Sequence, residues 1–207
     1  MPAIVIDIDE CKEKIPGYTP ANAAKFHTKS AKLADKLFKD AISKESPKKV
    51  ILMCGGSASG KSELVSSELI NEKAIIYDST LHTREGAEVK IRNSIRKGKS
   101  VEICALLPEN ISRSFGVFLT RERQVPVPAF FATHVGCRKN LLWVAKNFPQ
   151  VRIRIYLGKT DKQNKLQVFK YNYTSKPKMI KFIEENQLSE FDIIKLVTNN
   201  KQRNEKI

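Results

Sequence analysis

The sequence predicts a three-layer α/β fold with a mainly parallel sheet, and three observations carry that expectation. Short apolar runs alternate along the chain with longer stretches whose apolar residues recur at helical spacing, the rhythm of strands flanked by helices on both faces. Between one such run, Val50-Ile51-Leu52-Met53-Cys54, and the helical pattern after it lies Gly55-Gly56-Ser57-Ala58-Ser59-Gly60-Lys61-Ser62. A total of 207 residues, 41% of them hydrophobic and without an internal repeat or low-complexity linker, suits one globular domain.

The elements follow in order. Ala3 to Asp9 reads as a strand with acids at its C-terminal end, and Pro16-Gly17 marks a turn. Thr19 before Pro20 starts a helix that runs to about Ser43, with Ala23, Phe26, Leu33, Leu37 and Ala41 on its apolar side. Ser46-Pro47 breaks it ahead of the second strand, 50–54. Further strands are expected at 74–78, 101–107, 151–157 and 166–171, the last two forming a C-terminal hairpin across a polar turn at 158–164. Helices are expected at 62–70, 85–96 (closed by Gly98), 110–120 and 130–147. A capping box, Ser189-Glu190-Phe191-Asp192, opens a last helix to about Thr198, with 199–207 a frayed tail. The single domain thus divides into an N-terminal strand and helix (1–48), a core with its lid (49–157) and the C-terminal hairpin and helices (158–207).

The octapeptide 55–62 has the form G-x-x-x-x-G-K-[ST] in the strand–loop–helix setting that its chemistry requires. Glycines at 55, 56 and 60 let the backbone curl until several N–H groups face one anion, and the helix that follows points its positive dipole end there. Lys61 reaches the β- and γ-phosphates of a nucleotide, and the Ser62 hydroxyl holds Mg²⁺. The fold expectation therefore sharpens to a P-loop NTPase or kinase fold, with Gly55, Gly56, Ser57, Ala58, Ser59, Gly60, Lys61 and Ser62 binding ATP.

Composition narrows the setting. No apolar run approaches the length of a membrane span, and the chain's start lacks the features of a signal peptide. The four cysteines are scattered without a C-x-x-C pair, which fits free thiols in a reducing cytosol. The net charge is +15, and it is unevenly placed: residues 1–83 hold 12 Lys/Arg against 11 Asp/Glu, residues 84–154 hold 14 against 5. That excess serves a polyanionic substrate, general nucleic-acid affinity or simply a solvated basic face, and charge alone does not separate these.

Phosphoryl transfer needs an acid for metal or nucleophile and cations for the moving group. Asp78 ends the strand after the loop's helix, where parallel sheets gather ligand-binding groups, and Thr80 projects from the same tip. The plain alternative for Asp78 is a helix cap or turn former. Asp7 and Asp9 end the first strand, which suits either the same sheet edge or a plain solvated strand end. Arg121 and Arg123 flank a Pro-containing loop and suit a lid, since a planar guanidinium grips phosphate oxygens bidentately. His134 and Arg138 lie four apart on one helical face, candidates for substrate binding or for packing.

Together, the phosphate loop, Asp78-Ser79-Thr80 and the Arg121/Arg123 loop resemble the zeta toxin family of P-loop kinases over roughly residues 50–145. The resemblance implies ATP and Mg²⁺ at Gly55, Gly60, Lys61 and Ser62, substrate and metal at Asp78 and Thr80, and a lid at Arg121 and Arg123. It also implies a UDP-sugar acceptor and an antitoxin partner. In that family an Asp-x-Asp strand lies between the loop helix and the acid-x-Thr strand, its second aspartate being the general base. Here Lys61 to Asp78 leaves room for one helix and one strand only. Asp7-Ile8-Asp9-Glu10-Cys11-Lys12, followed by Ile15-Pro16-Gly17-Tyr18, resembles the missing segment placed ahead of the loop, although Cys11 stands where the family has Phe. The expectation is a segment swap with Asp9 as base, Asp78 being the alternative. The expected activity is ATP-dependent phosphorylation of a small anionic acceptor. Its rivals are a polynucleotide-end kinase and a nucleotide-binding module without transfer chemistry.

Overall fold

The computed structural model describes residues 2–160 and 165–204. Six strands, β1 (Ile4–Asp7), β2 (Lys49–Cys54), β3 (Ala74–Asp78), β4 (Ser100–Pro108), β5 (Arg152–Thr160) and β6 (Leu166–Tyr171), form one sheet in the order β1-β3-β2-β4-β5-β6. The first five are parallel and β6 returns antiparallel to β5, so the mainly parallel sheet and the hairpin are both present. The helices are α1 (Ile8–Glu13), α2 (Ala23–Lys44), α3 (Lys61–Leu64, prolonged by a π-helical stretch Val65–Leu69), α4 (Arg84–Arg96), α5 (Ile111–Leu119), α6 (Val127–Asn147), α7 (Lys176–Glu185) and α8 (Glu190–Asn204).

The two faces of the sheet are covered unequally. Val50, Leu52, Ile75, Tyr77, Ile103 and Ile155 point to one side, where Phe38 of α2, Ile91 of α4, Leu141 of α6 and Met179 of α7 pack on them. Ile51, Met53, Ile76, Cys104 and Leu106 point to the other, where Leu64, Val65 and Leu69 are the helical residues of the cluster. Burial on both faces explains why β2 reads as an unbroken apolar run rather than an alternating one. Away from α3, that second face is finished by a cluster of charges: Arg154 pairs with Glu72 (2.6 Å) and with Glu102, and Lys49 pairs with Glu72 and Glu102. A third, smaller cluster joins α5, α6 and α8 through Phe118, Phe130 and Ile193.

Several expectations are corrected. The first strand stops at Asp7 rather than Asp9, because the Asp7 carboxylate accepts the Asp9 N–H (2.7 Å) and caps α1. Asp9 therefore sits in the first turn of a short helix. The Ser189/Asp192 capping box forms as expected, but α8 continues to Asn204 instead of fraying after 198. Strand β5 extends into the expected turn as far as Thr160, and the rest of that turn, 161–164, lies outside the described residues, as does the tail at 205–207. Helix α7 was not foreseen. All four cysteines are buried free thiols. Among the described residues, no helix is long and apolar enough to cross a membrane.

Candidate active site

The sheet order places three strand ends side by side. β3 lies between β2, which feeds the phosphate loop, and β1, whose register sets Asp7 opposite Asp78. The N-terminal strand thus occupies the sheet position beside β3, on the side away from β2, although it precedes the loop in sequence.

Residues 55–60 curl between β2 and α3 with Ala58 and Gly60 in the left-handed region (φ 59° and 93°). Gly56 is required by contact rather than by dihedral: a Cβ there would fall inside the imidazole of His134. The Lys61 ammonium donates to the Gly56 carbonyl (2.9 Å), and the Ser62 hydroxyl donates to Asp78 Oδ2 (3.0 Å). Burial raises the pKa of Asp78, while Lys61 and the Ser62 hydroxyl oppose the rise. Ser59 Oγ is buried and has no hydrogen-bond partner.

Helix α6 supports the loop from behind. Ser57 N–H donates to Thr133 Oγ1 (3.1 Å), and His134 Nε2 lies 2.9 Å from the Ser57 carbonyl. A carbonyl only accepts, so Nε2 carries the proton and Nδ1 faces the Arg138 guanidinium. Arg138 also donates to the carbonyls of His134 (3.1 Å) and Asn186 (3.1 Å), tying the loop's support to the end of α7. Burial, with the Arg138 charge second, pushes the His134 pKa down to about 3, so the ring is neutral at any ordinary pH. His134 and Arg138 are buried, and neither lines the cavity in front of the loop. They lie behind the loop and away from the cavity, which fits the packing alternative for this pair rather than substrate contact.

That cavity has a volume of about 400 Å³. Lys61, Ser62, Asp78 and Thr80 reach it from the loop and β3, Asp7, Asp9 and Lys12 from β1 and α1, and Arg121 and Arg123 from the segment before α6. Asp9 is held by Lys12 (2.9 Å) and by Arg123. Burial alone would raise its pKa, but Arg123 and Lys12 outweigh burial and hold the carboxyl below the usual range. Asp7 goes the other way: burial first, and the Asp78 charge second, push it up to about 6. His27 and His82 also face the cavity, each with its pKa lowered, chiefly by burial. The Thr80 hydroxyl lies 2.7 Å from His82 Nδ1. A second cavity, about 550 Å³, opens on the other side of the loop and shares Ala58, Ser59, Gly60, Glu63 and Arg121 with the first. Its far wall is Pro108, Asn110, Gly158 and Leu166. Sequence reading had missed Lys12, His27, His82 and this far wall, since no local motif marks them. They meet only because the sheet brings separate segments together.

No family model and no curated protein sequence matches the chain. Among solved structures, AvrRxo1-ORF1:-ORF2 with ATP matches with a TM-score of 0.50 and 14% identity, over 79% of this chain and 73% of that one. The same pair with sulphate ions matches at 0.49 and 14%, over 81% and 76%. The PezAT chromosomal toxin-antitoxin system of Streptococcus pneumoniae matches at 0.47 and 14%, over 99% and 75%. At such identities the likeness is one of fold alone.

Proposed function

We propose that this protein is an ATP- and Mg²⁺-dependent phosphotransferase that moves a γ-phosphoryl group onto a hydroxyl of a small molecule bound in the 400 Å³ cavity. The observation that carries the reading is the convergence of Lys61, the Ser62–Asp78 pair, Asp9 and Arg123 on that one cavity. Lys61 and the loop amides bind the β- and γ-phosphates, and the larger cavity beyond Gly60 receives the nucleoside. Arg121 and Arg123 neutralise charge that develops on the transferred group, where catalysis is mostly positioning and electrostatics.

The donor set suits Mg²⁺: a hydroxyl and a carboxylate oxygen 3.0 Å apart, the carboxylate buried and raised in pKa as one awaiting a cation would be. Ser62 and Asp78 would hold the ion, which when bound neutralises phosphate oxygens. Asp9 takes the proton of the accepting hydroxyl. Thr80 orients the acceptor. A bound protein partner, an antitoxin by analogy with the two-chain neighbours, belongs to the same reading.

The test is incubation with ATP, Mg²⁺ and a panel of sugars, nucleosides, nucleotide sugars and oligonucleotides, with products read by phosphorus NMR and mass spectrometry. Transfer is expected, and Lys61→Ala should lower it by about a hundredfold or more. Asp9→Asn should lose transfer while keeping ATP affinity. Full activity in Lys61→Ala would rule out this site.

A further inference from the structure

We infer that the acceptor is an uncharged polyhydroxy compound, a free sugar or a nucleoside, rather than a phosphorylated one. The inference rests on the kinase reading and begins from where the cavity's charges go once ATP is in place. Of the four cations at the cavity, Lys61, Arg121 and Arg123 are assigned to the triphosphate by that reading, and Arg123 is in addition paired with Asp9. The fourth, Lys12, has a side chain only 5% exposed and is bonded to Asp9 at 2.9 Å. No cation among the described cavity residues is then left for an acceptor phosphate, and two carboxylates, Asp7 and Asp9, face the same space. A phosphate dianion there would be desolvated beside like charge, which is how sites reject a ligand.

What remains is suited to hydroxyl groups. Carboxylates accept from O–H, and Asp7 has one oxygen engaged with the Asp9 N–H. His27, whose pKa burial lowers, offers a donor and an acceptor as a neutral ring, and His82, with Nδ1 engaged by the Thr80 hydroxyl, offers Nε2. The Thr80 hydroxyl both gives and receives. The wall also carries short apolar side chains, Ala23 and Ala24 at the start of α2 and Ala129 and Ala132 near the start of α6. Small methyl groups opposite a band of hydrogen-bonding groups fit a sugar or base ring, flat and apolar on its face and polar at its edge. In the transfer, an acceptor oxygen forms the new O–P bond as the bond from γ-phosphorus to the β,γ-bridging oxygen breaks. The hydroxyl proton passes to Asp9, and ADP leaves with the electron pair of the broken bond.

The experiment uses matched pairs that differ by a phosphate: adenosine and AMP, uridine and UMP, N-acetylglucosamine and its 1-phosphate, with UDP-N-acetylglucosamine added. Transfer from ATP–Mg²⁺ is measured for each, and binding by ligand-observed NMR with and without a non-hydrolysable ATP analogue. At least one neutral member is expected to be phosphorylated with kcat/KM about tenfold or more above its charged partner. Asp7→Asn, which keeps a capping side chain for α1, is expected to narrow that ratio. Preference for the charged members, or failure of every neutral member to bind, overturns the inference. Failure of ATP itself to bind overturns the kinase reading instead, whereas preference for the charged members with the ATP analogue bound overturns the inference alone.

Discussion

Asp9, the proposed base, is held by two cations. As a general base it works only above its own pKa, so the acid limb of the pH–rate profile should lie below the ordinary carboxylate range. Lys12→Met removes one of the two cations. The limb is then expected to move to higher pH by about one unit, at unchanged ATP affinity. A limb that stays in place would take the base role from Asp9. Asp7 makes the opposite case. Its folded pKa, about 6, exceeds that of the unfolded chain, so its contribution to stability is full below pH 4 and is lost as pH rises through 6. Asp7→Asn should therefore raise Tm at pH 7.5, by a few degrees for a gain of about 1 kcal/mol, and leave it unchanged at pH 4. Equal shifts at both values would refute the charge argument. At this scale the phosphate loop was legible because its chemistry depends on contiguous residues. His134 and Arg138 were not, since a spacing of four says that two side chains share a helix face and not what that face meets.

Among the elements, the strand pattern could be read nearly to the residue where both sheet faces are covered, as in β2 and β3. α7 went unread although its signals were present: Ser175 caps it, Pro177 sits in its first turn, and Met179 and Ile183 are buried. The alternation in β5 has a physical cause visible only in the fold. Ile153 and Ile155 enter the thick core, while Arg154 turns to the thinly covered face and meets Glu72 and Glu102. Arg154→Ala leaves Glu102, whose side chain is 5% exposed, with Lys49 at 3.8 Å as its remaining ion-pair partner, and should cost about 2–3 kcal/mol in denaturant unfolding. The paired change Arg154→Met with Glu102→Gln should recover most of that loss, and a loss under 1 kcal/mol in the single variant would mean that the cluster is solvated. Burial opposes ionisation of Glu72, yet Arg154 and Lys49 lower its pKa, so its stabilisation is present above the unfolded pKa and lost as pH falls through the folded value.

For the whole molecule, the charge of +15 predicts attraction to any polyanion, and the cavity predicts a particular reaction. Salt separates them. Oligonucleotide binding that comes from net charge should fall steeply between about 50 and 200 mM salt, while phosphorylation of a small acceptor should persist at 300 mM. Labelling of an oligonucleotide end at that higher salt would favour the polynucleotide kinase instead. At this scale the place of the first strand was legible only through the resemblance, which led to the expectation of a swapped segment; by itself a strand at residue 4 gives no local sign that it will pair beside β3.

One face of the sheet owes its helical cover, among the described residues, to α3 and its π-helical extension, and α3 begins at Lys61. The roof over Ile51, Met53, Cys104 and Leu106 is therefore joined to the turn proposed to bind the nucleotide. ATP at a hundred times its Kd should add about 2.7 kcal/mol to unfolding. Hydrogen exchange should show that gain first in the amides beneath this roof, so that occupancy of the loop and endurance of the inner sheet rise and fall as one quantity.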